Sequence, residues 1–287
     1  MFGYIRHMSF SAKIILDSTN PHNDIRIVTS ELTYPRFIHA EFMTHRVFSR
    51  NAASSRAIPN SQMIGLVDNT PAMPVYWGKS KRGMSAASEV SDIDSAKDLW
   101  LSAKDSMVAH AKSFRRLKLH KQIANRILEP WKYITVICTA TQFSNFFALR
   151  NHEDAQPEIQ HLAKIWKAAL DKSESVKRMW HIPYIQDDER DLELSLQKKI
   201  SVARCARVSY LTHSGTKSVE KDLVLYDRLL TGSGHGHWSP FEHVANATDL
   251  KSEYYNFTTK RYETHPIRCG NFSGWIQYRK TCVGECQ

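Results

Sequence analysis

The spacing of apolar residues along the chain predicts strands that alternate with helices. Residues 26–34 and 133–138 are rich in β-branched side chains, which favours strands. Apolar residues recur at helical spacing in five segments, namely residues 35–45, 95–128, 139–150, 157–170 and 222–230. Asp154 stands where its side chain would cap the helix that begins near residue 157. The pattern predicts an α+β fold, a mixed sheet with helices.

The segments between these elements are polar. Residues 46–59 combine serine, asparagine and arginine with small side chains, so we predict a donor-rich loop that binds an anion, with a solvated turn as the alternative. Residues 60–95 hold prolines, glycines and basic residues. They predict a mobile surface loop, and closure over a ligand is the alternative. Residues 1–25 predict no element, and residues 173–191 read as a connector.

Composition narrows the class of protein. The 287 residues are 42% hydrophobic, enough for a sizeable core, and we predict a single domain over residues 1–287. The net charge of +10 favours polyanionic partners, which are nucleic acid or equally mononucleotides and other small anions. Five scattered cysteines and the lack of a signal-peptide pattern indicate the cytoplasm. The apolar runs are far shorter than the roughly 20 residues of a membrane helix.

The donor-rich loop carries a recognisable motif. Thr44-His45-Arg46, seven residues and then Ser54 resemble the signature of the flavin-dependent thymidylate synthases (ThyX), which is Arg-His-Arg, seven residues, Ser. Ser49, Asn51, Ser54 and Arg56 also match the family's spacing. Four positions depart from it, with Thr44 for arginine, Glu41 for glutamine, Ala52 for glutamate and Ala57 for tyrosine.

Two further segments resemble the same family. Residues 123–130 resemble the segment that supplies an arginine to the nucleotide, and residues 145–159 resemble a second signature, with Asp154 where histidine is common. Residues 237–243, His-Trp-Ser-Pro-Phe-Glu-His, resemble the family's N-terminal flavin-contacting motif, yet here they lie downstream of the loop. The motif order is therefore predicted to be permuted. Residues 26–170 carry the loop and the Arg150 segment, and residues 198–287 match the family's N-terminal half.

The resemblance implies flavin-dependent C5 methylation of a deoxypyrimidine monophosphate. The reaction would convert dUMP to dTMP with FAD as cofactor and methylenetetrahydrofolate and NADPH as co-substrates, in a homotetramer with shared sites. Arg150 would be the catalytic residue, lying against the pyrimidine and favouring its N3-ionised form. The implied substrate contacts are Glu41, Ser54, Ser55, Arg56, Arg126 and Arg150. The implied flavin contacts are His45, Arg46, Ser49, Asn51, Asn145, His237, Ser239 and Glu242.

Two alternatives stay open on the sequence, and a third is set aside. Glu41 beside the base would accept a hydrogen bond from the cytosine amine, which suits a dCMP methylase or hydroxymethylase; paired with an arginine instead, it leaves dUMP as substrate. A basic nucleic-acid-binding protein without flavin chemistry is the alternative from another class. His235, His237, Glu242 and His243, with Cys282 and Cys286 as further ligands, suggest zinc, but they lack the tight ligand pairs of zinc sites, so no metal is predicted.

Overall fold

A computed structural model of the protein describes residues 9–86, 88–211, 218–232 and 236–285. The strands are β1 Ser11–Thr19, β2 Arg26–Pro35, β3 Ser49–Ala52, β4 Tyr133–Ala140, β5 Val176–Lys177, β6 Trp180–His181, β7 Ala245–Ala247, β8 Lys251–Asn256, β9 Arg261–Pro266, β10 Arg268–Cys269, β11 Phe272–Ser273 and β12 Trp275–Gln277. The helices are α1 His39–Met43, α2 Asn60–Asn69, α3 Ile93–Arg116, α4 Lys121–Ala124, α5 Ser144–Arg150, α6 Pro157–Asp171, α7 Leu194–Arg207 and α8 Val219–Thr231.

The largest sheet has five strands in the order β3-β4-β2-β1-β5. Its pairs are antiparallel except for the short parallel contact of β1 with β5, so the sheet is mixed. The predicted α+β class is confirmed.

Alternation along β4 directs its side chains to two different layers. Val136, Cys138 and Ala140 point to one face, where they join an aromatic core with Phe42 of α1, Phe146 of α5 and Trp166 of α6. Trp166 is fully buried and donates a 2.8 Å hydrogen bond to Ser30 of β2. Helices α1, α5 and α6 therefore cover this face of the sheet.

Residues from about 180 onward cover the opposite face. Ile137 of β4 packs there against Cys205 of α7 and Val208. A second sheet in the order β12-β7-β6 lies on the same side, and α8 packs on α7. Asp222 of α8 and Glu189 both bind the guanidinium of Arg204, which is 2% exposed. The chain is thus layered, with helices on one face of the sheet and the C-terminal segment on the other.

A buried polar ladder joins the central sheet to this C-terminal segment. The contacts run from Ser18 to His181 (2.9 Å), His181 to Thr29 (2.7 Å), Thr29 to Thr139 (2.6 Å) and Thr139 to His243 (2.8 Å). All five residues are fully buried. Burial strongly disfavours the imidazolium form and lowers the pKa of both histidines to about 3.

The strands predicted at 26–34 and 133–138 are confirmed as β2 and β4, and the helices at 157–170 and 222–230 as α6 and α8. The prediction of one helix over 95–128 is wrong. Helix α3 ends at Arg116, Lys118 adopts a positive φ of 55°, and His120 caps the separate helix α4. The helix predicted from 139 is also wrong at its start, because residues 139 and 140 complete β4.

Several segments predicted to be irregular contain regular structure. The loop predicted over 46–59 includes β3, an edge strand paired with β4. Residues 60–69 form α2, which buries Met63, Ile64 and Val67. The N-terminal segment contains β1, and the connector at 173–191 contains β5 and β6. Asp154 does not cap α6, since Gln156 takes the N-cap position without a side-chain hydrogen bond.

No helix in the described part of the chain has the length and apolar character that crossing a membrane requires.

Candidate functional site

Two of the motifs meet at Arg150, the last residue of α5. Its Nε donates a 3.0 Å hydrogen bond to Nε2 of His45, and one terminal nitrogen lies 3.4 Å from the Thr44 hydroxyl. The other terminal nitrogen lies 3.5 Å from a Glu41 carboxylate oxygen. Residues 41–45 and 150, separated by about a hundred positions, therefore form one cluster, which we call the Arg150 cluster.

His45 is neutral in this cluster. Burial, and then the charges of Arg150 and Arg50, lower the pKa of His45 to about 4. Because Nε2 accepts the Arg150 hydrogen bond, the neutral ring carries its proton on Nδ1. The pKa of Glu41 is raised by burial, and Arg150 partly offsets that rise. Arg150 thus has one neutral and one acidic partner.

Arg50 fixes the backbone beneath the Arg150 cluster, a role that the sequence analysis missed. Its Nη1 donates to the carbonyls of Phe42 (3.2 Å), Met43 (3.0 Å) and His45 (3.0 Å). Phe42 and Met43 are the last residues of α1 and His45 lies two residues beyond its end, where the carbonyls lack the N–H donors of a following helical turn. Arg50 therefore holds the turn that carries Thr44 and His45.

Four of the predicted substrate contacts, Ser54, Ser55, Arg56 and Arg126, lie beyond the other end of β3. Ser55 donates a 2.6 Å hydrogen bond to Glu129, and Arg126 binds the same carboxylate oxygen at 2.9 Å. The Ser54 hydroxyl accepts from the backbone N–H of Arg56, whose side chain is exposed and makes no hydrogen bond or ion pair within the described residues. We call Ser54, Ser55, Arg56, Arg126 and Glu129 the Glu129 cluster.

Glu129 and Lys132 are members of this region that the sequence analysis did not find. Lys132 is 1% exposed, and its Nζ has no hydrogen-bond partner among the described residues. Burial lowers its pKa to about 8, while the Glu129 charge raises it. Arg36 also approaches Glu129, at 3.9 Å. One carboxylate therefore lies among several cations, an arrangement that attracts anions.

The opposite face of β3 contacts the C-terminal segment. The Asn51 amide nitrogen donates to the Cys205 carbonyl at 2.8 Å, and its oxygen accepts from Ser209 (3.2 Å) and Ser239 (3.4 Å). The buried Ser49 hydroxyl accepts from Gln277 at 2.9 Å. These contacts bring residues 49–51 beside residue 239. They also occupy the Ser49 and Asn51 side chains within the chain itself.

Of the four other predicted flavin contacts, one has a polar partner in the chain and three have none among the described residues. Glu242 binds Arg279 at 2.5 Å. Arg46, Asn145 and His237 are exposed, and their side chains make no hydrogen bond or ion pair within the described residues. Guanidinium and amide N–H groups suit the pyrophosphate and ring carbonyls of FAD, so this donor set fits the cofactor. Ser49 and Asn51 fit it less well, and His235 lies outside the described residues.

Comparison with known proteins gives two results of different strength. Two crystal structures of the UMP/dUMP methylase PolB from Streptomyces cacaoi, bound with 5-Br dUMP and with 5-Br UMP, are similar at 14% and 15% identity. Each alignment covers 57% of this chain and 91% or 90% of the other, with a TM-score of 0.48. No curated protein matches the chain.

The model of the family Thy1, thymidylate synthase complementing protein, matches residues 24–173. This match includes the Arg150 and Glu129 clusters and spans more than half of the 287 residues. The chain therefore belongs to the Thy1 family, the flavin-dependent thymidylate synthases.

Proposed function

We propose that this protein methylates C5 of a deoxypyrimidine 5′-monophosphate, converting dUMP to dTMP. The observation that carries the proposal is the 3.0 Å hydrogen bond between Arg150 and neutral His45, which joins two motifs of the family to which the chain belongs. Methylenetetrahydrofolate is the proposed one-carbon donor and NADPH the proposed reductant.

Arg150 is the proposed base-binding residue. His45 engages its Nε, so the two terminal nitrogens face Glu41 and Thr44, where a pyrimidine carbonyl would accept their hydrogen bonds. A fixed guanidinium beside the ring stabilises negative charge on N3 and the adjacent oxygens. Neutral His45 serves this role better than imidazolium, because a second cation would repel Arg150.

Ser54, Ser55, Arg56 and Arg126 are the proposed phosphate ligands. Arg56 is uncommitted, whereas Ser55 and Arg126 bind Glu129. A phosphate dianion competes for these donors through charge-assisted hydrogen bonds. Glu129 would then retain its contact with Arg36 and its attraction to Lys132.

FAD is the proposed cofactor, and when bound it supplies the hydride chemistry that no side chain can provide. Arg46, Asn145 and His237 would hold it through their uncommitted polar groups. We also propose that the C-terminal segment takes the place of the family's N-terminal half, in permuted order. The contact of Asn51 with Ser239 supports this correspondence.

The test is the colour and activity of the purified protein. A flavoprotein absorbs near roughly 450 nm, and we expect that band in the protein as purified or after reconstitution with FAD. With methylenetetrahydrofolate and NADPH we expect dTMP from dUMP, and no dTMP from an Arg150→Ala variant that keeps its flavin. A colourless protein that cannot be reconstituted, yet binds DNA with a steep salt dependence, would instead support the nucleic-acid-binding alternative.

A further inference from the structure

A cleft of about 590 Å³ lies between the free edge of β1 and the start of α7. Strand β5 pairs with β1 only at residues 18 and 19, so the outer edge of β1 from residue 13 to 16 stays open and lines the cleft. Two strands separate β1 from β3, which corresponds to about 14 Å at the usual strand spacing. The cleft is therefore distinct from the Arg150 and Glu129 clusters.

Cationic side chains line this cleft. Lys13, Lys177, Arg178 and Arg190 contribute to its wall, and none of the described residues that line it is a carboxylate. Two of these cations have acidic partners outside the lining. Asp24 lies 3.0 Å from Lys177, and Asp187 lies 2.9 Å from Arg190. Both ion pairs are largely exposed, so water and salt screen their attraction. Glu31 of β2 lies opposite Lys13 in the pairing of β1 with β2, and it accepts a hydrogen bond from Tyr184.

Arg178, in the wall of this cleft, has a buried hydrogen-bond donor without a partner among the described residues. Its Nε is buried and has no hydrogen-bond partner among the described residues. Burial and the nearby charge of Arg190 lower the pKa of Arg178. The backbone N–H of Arg178 donates to the Thr19 carbonyl at 3.1 Å and fixes the residue beside β1. A buried donor and two like charges in the wall of one cleft are a combination that a bound anion would stabilise.

Apart from Gln197, the remainder of the lining is apolar or aromatic. Trp180, Ile182 and Leu16 contribute to it. Lys198 lies 4.6 Å from the centre of the Trp180 ring, a cation–π contact that adds a further positive charge near the aromatic surface. The cleft volume is within the range of small-molecule sites, roughly 300–1,000 Å³. Guanidinium groups beside an aromatic and aliphatic surface match a ligand that carries both phosphates and a planar base.

We propose that this cleft binds a nucleoside triphosphate, with its phosphates at Arg178 and Arg190 and its base against Trp180. The site is separate from the one proposed for the substrate monophosphate. Its occupancy therefore does not depend on the methylation reaction.

Titration calorimetry with dTTP on the full chain tests the phosphate part of this proposal. We expect Arg178→Gln and Arg190→Gln each to weaken dTTP binding about tenfold or more, the loss of a charge-assisted hydrogen bond. Arg190 is exposed, so its variant keeps the test valid if Arg178→Gln unfolds. The matched control is Arg116→Gln, at an exposed position on α3. Unchanged affinity in both cleft variants would overturn the proposal.

Two further measurements separate this cleft from the proposed active site and from simple polyphosphate binding. Arg56→Ala should bind dTTP as tightly as the unmodified protein, and a loss of binding there would assign the triphosphate to the substrate site instead. Inorganic triphosphate should bind at least about tenfold more weakly than dTTP, because it lacks a base to pack on Trp180. Equal affinity for the two ligands would contradict a nucleotide site.

Discussion

The contact with Glu41 determines which N–H groups of Arg150 remain to bind a base in the proposed site. The two side chains lie 3.5 Å apart and are 37% and 22% exposed, so they form a partly solvated pair of modest strength. The paired arrangement agrees with the alternative in which Glu41 binds an arginine and leaves dUMP as substrate. Arg150 keeps a terminal N–H near Thr44, whose short side chain takes the place of the arginine usual in the family.

A competition assay at this position separates dUMP from dCMP. With methylenetetrahydrofolate and reductant, we expect dUMP to be methylated in preference to dCMP. Because Glu41 is engaged by Arg150, Glu41→Gln should change the preference only about twofold. Glu41→Asp is the control that keeps the charge. A preference for dCMP that Glu41→Gln reverses would show instead that the carboxylate accepts from the cytosine amine. Product mass then distinguishes methyl from hydroxymethyl transfer.

Arg56 gives a test of the phosphate subsite. Its side chain is exposed and uncommitted, so Arg56→Ala should not disturb the fold. We expect the apparent KM for nucleotide to rise roughly tenfold or more, since a charge-assisted hydrogen bond contributes about 1.5–3 kcal/mol. Flavin content should stay the same, as measured by absorbance after denaturation. Loss of FAD with unchanged nucleotide affinity would move Arg56 to the flavin subsite.

The sequence singles out residues that belong to a motif and misses those that only folding brings together. His45 and Arg150 were predicted from two motifs, and the structure joins them at 3.0 Å. Lys132 was missed, because a lysine at the start of a strand carries no sign that its ammonium will be buried. Glu129 was missed for a similar reason, since its importance arises only when Ser55 and Arg126 converge on it.

At the level of elements, short strands and short helices were the hardest to predict. Strand β3 has only four residues, and its polar sequence hides the pairing with β4 that makes it a strand. This pairing with β4 determines which β3 side chains reach each part of the candidate site, because alternate residues on β3 face opposite layers. Arg50 points toward α1, while Ser49 and Asn51 point toward the C-terminal segment. An expected loop thus proves to be the strand that separates two groups of site residues.

The buried ladder between β1, β2, β4 and the C-terminal segment makes stability depend on pH. His181 and His243 have a pKa of about 3 in the folded chain, against about 6.5 when unfolded. The unfolded chain therefore binds more protons between these values, and the free energy of unfolding falls as pH drops through that window. Each histidine contributes a slope of up to about 1.4 kcal/mol per pH unit.

Chemical denaturation at several pH values between 7 and 4 measures this slope. We expect His243→Gln to reduce the slope, because glutamine keeps a polar group near Thr139 but takes up no proton. His110→Gln, at an exposed position on α3, is the matched control. An unchanged slope in His243→Gln would mean that other groups cause the acid sensitivity.

At the level of the whole molecule, the two ends of β3 carry different parts of the proposed site. The Arg150 cluster lies before β3 and the Glu129 cluster after it, about 13 Å apart at the usual rise of a four-residue strand. From the resemblance to the family we propose a homotetramer whose sites are shared between subunits. The assembly therefore decides whether Arg150 and Arg56 of the same chain bind the same substrate molecule.

Co-expression of two impaired variants answers that question. If Arg150 and Arg56 reach one site from different chains, mixed assemblies of Arg150→Ala and Arg56→Ala contain some sites with both arginines intact. With nucleotide well below its KM, we expect activity at least about twofold above that of Arg56→Ala alone, the more active variant, in a particle of about four times the 33.0 kDa chain mass. The control pairs Arg150→Ala with His45→Ala. These residues bond within one chain at 3.0 Å, so mixing restores no intact site. Mixed assemblies without recovered activity would place both arginines of a site on the same chain.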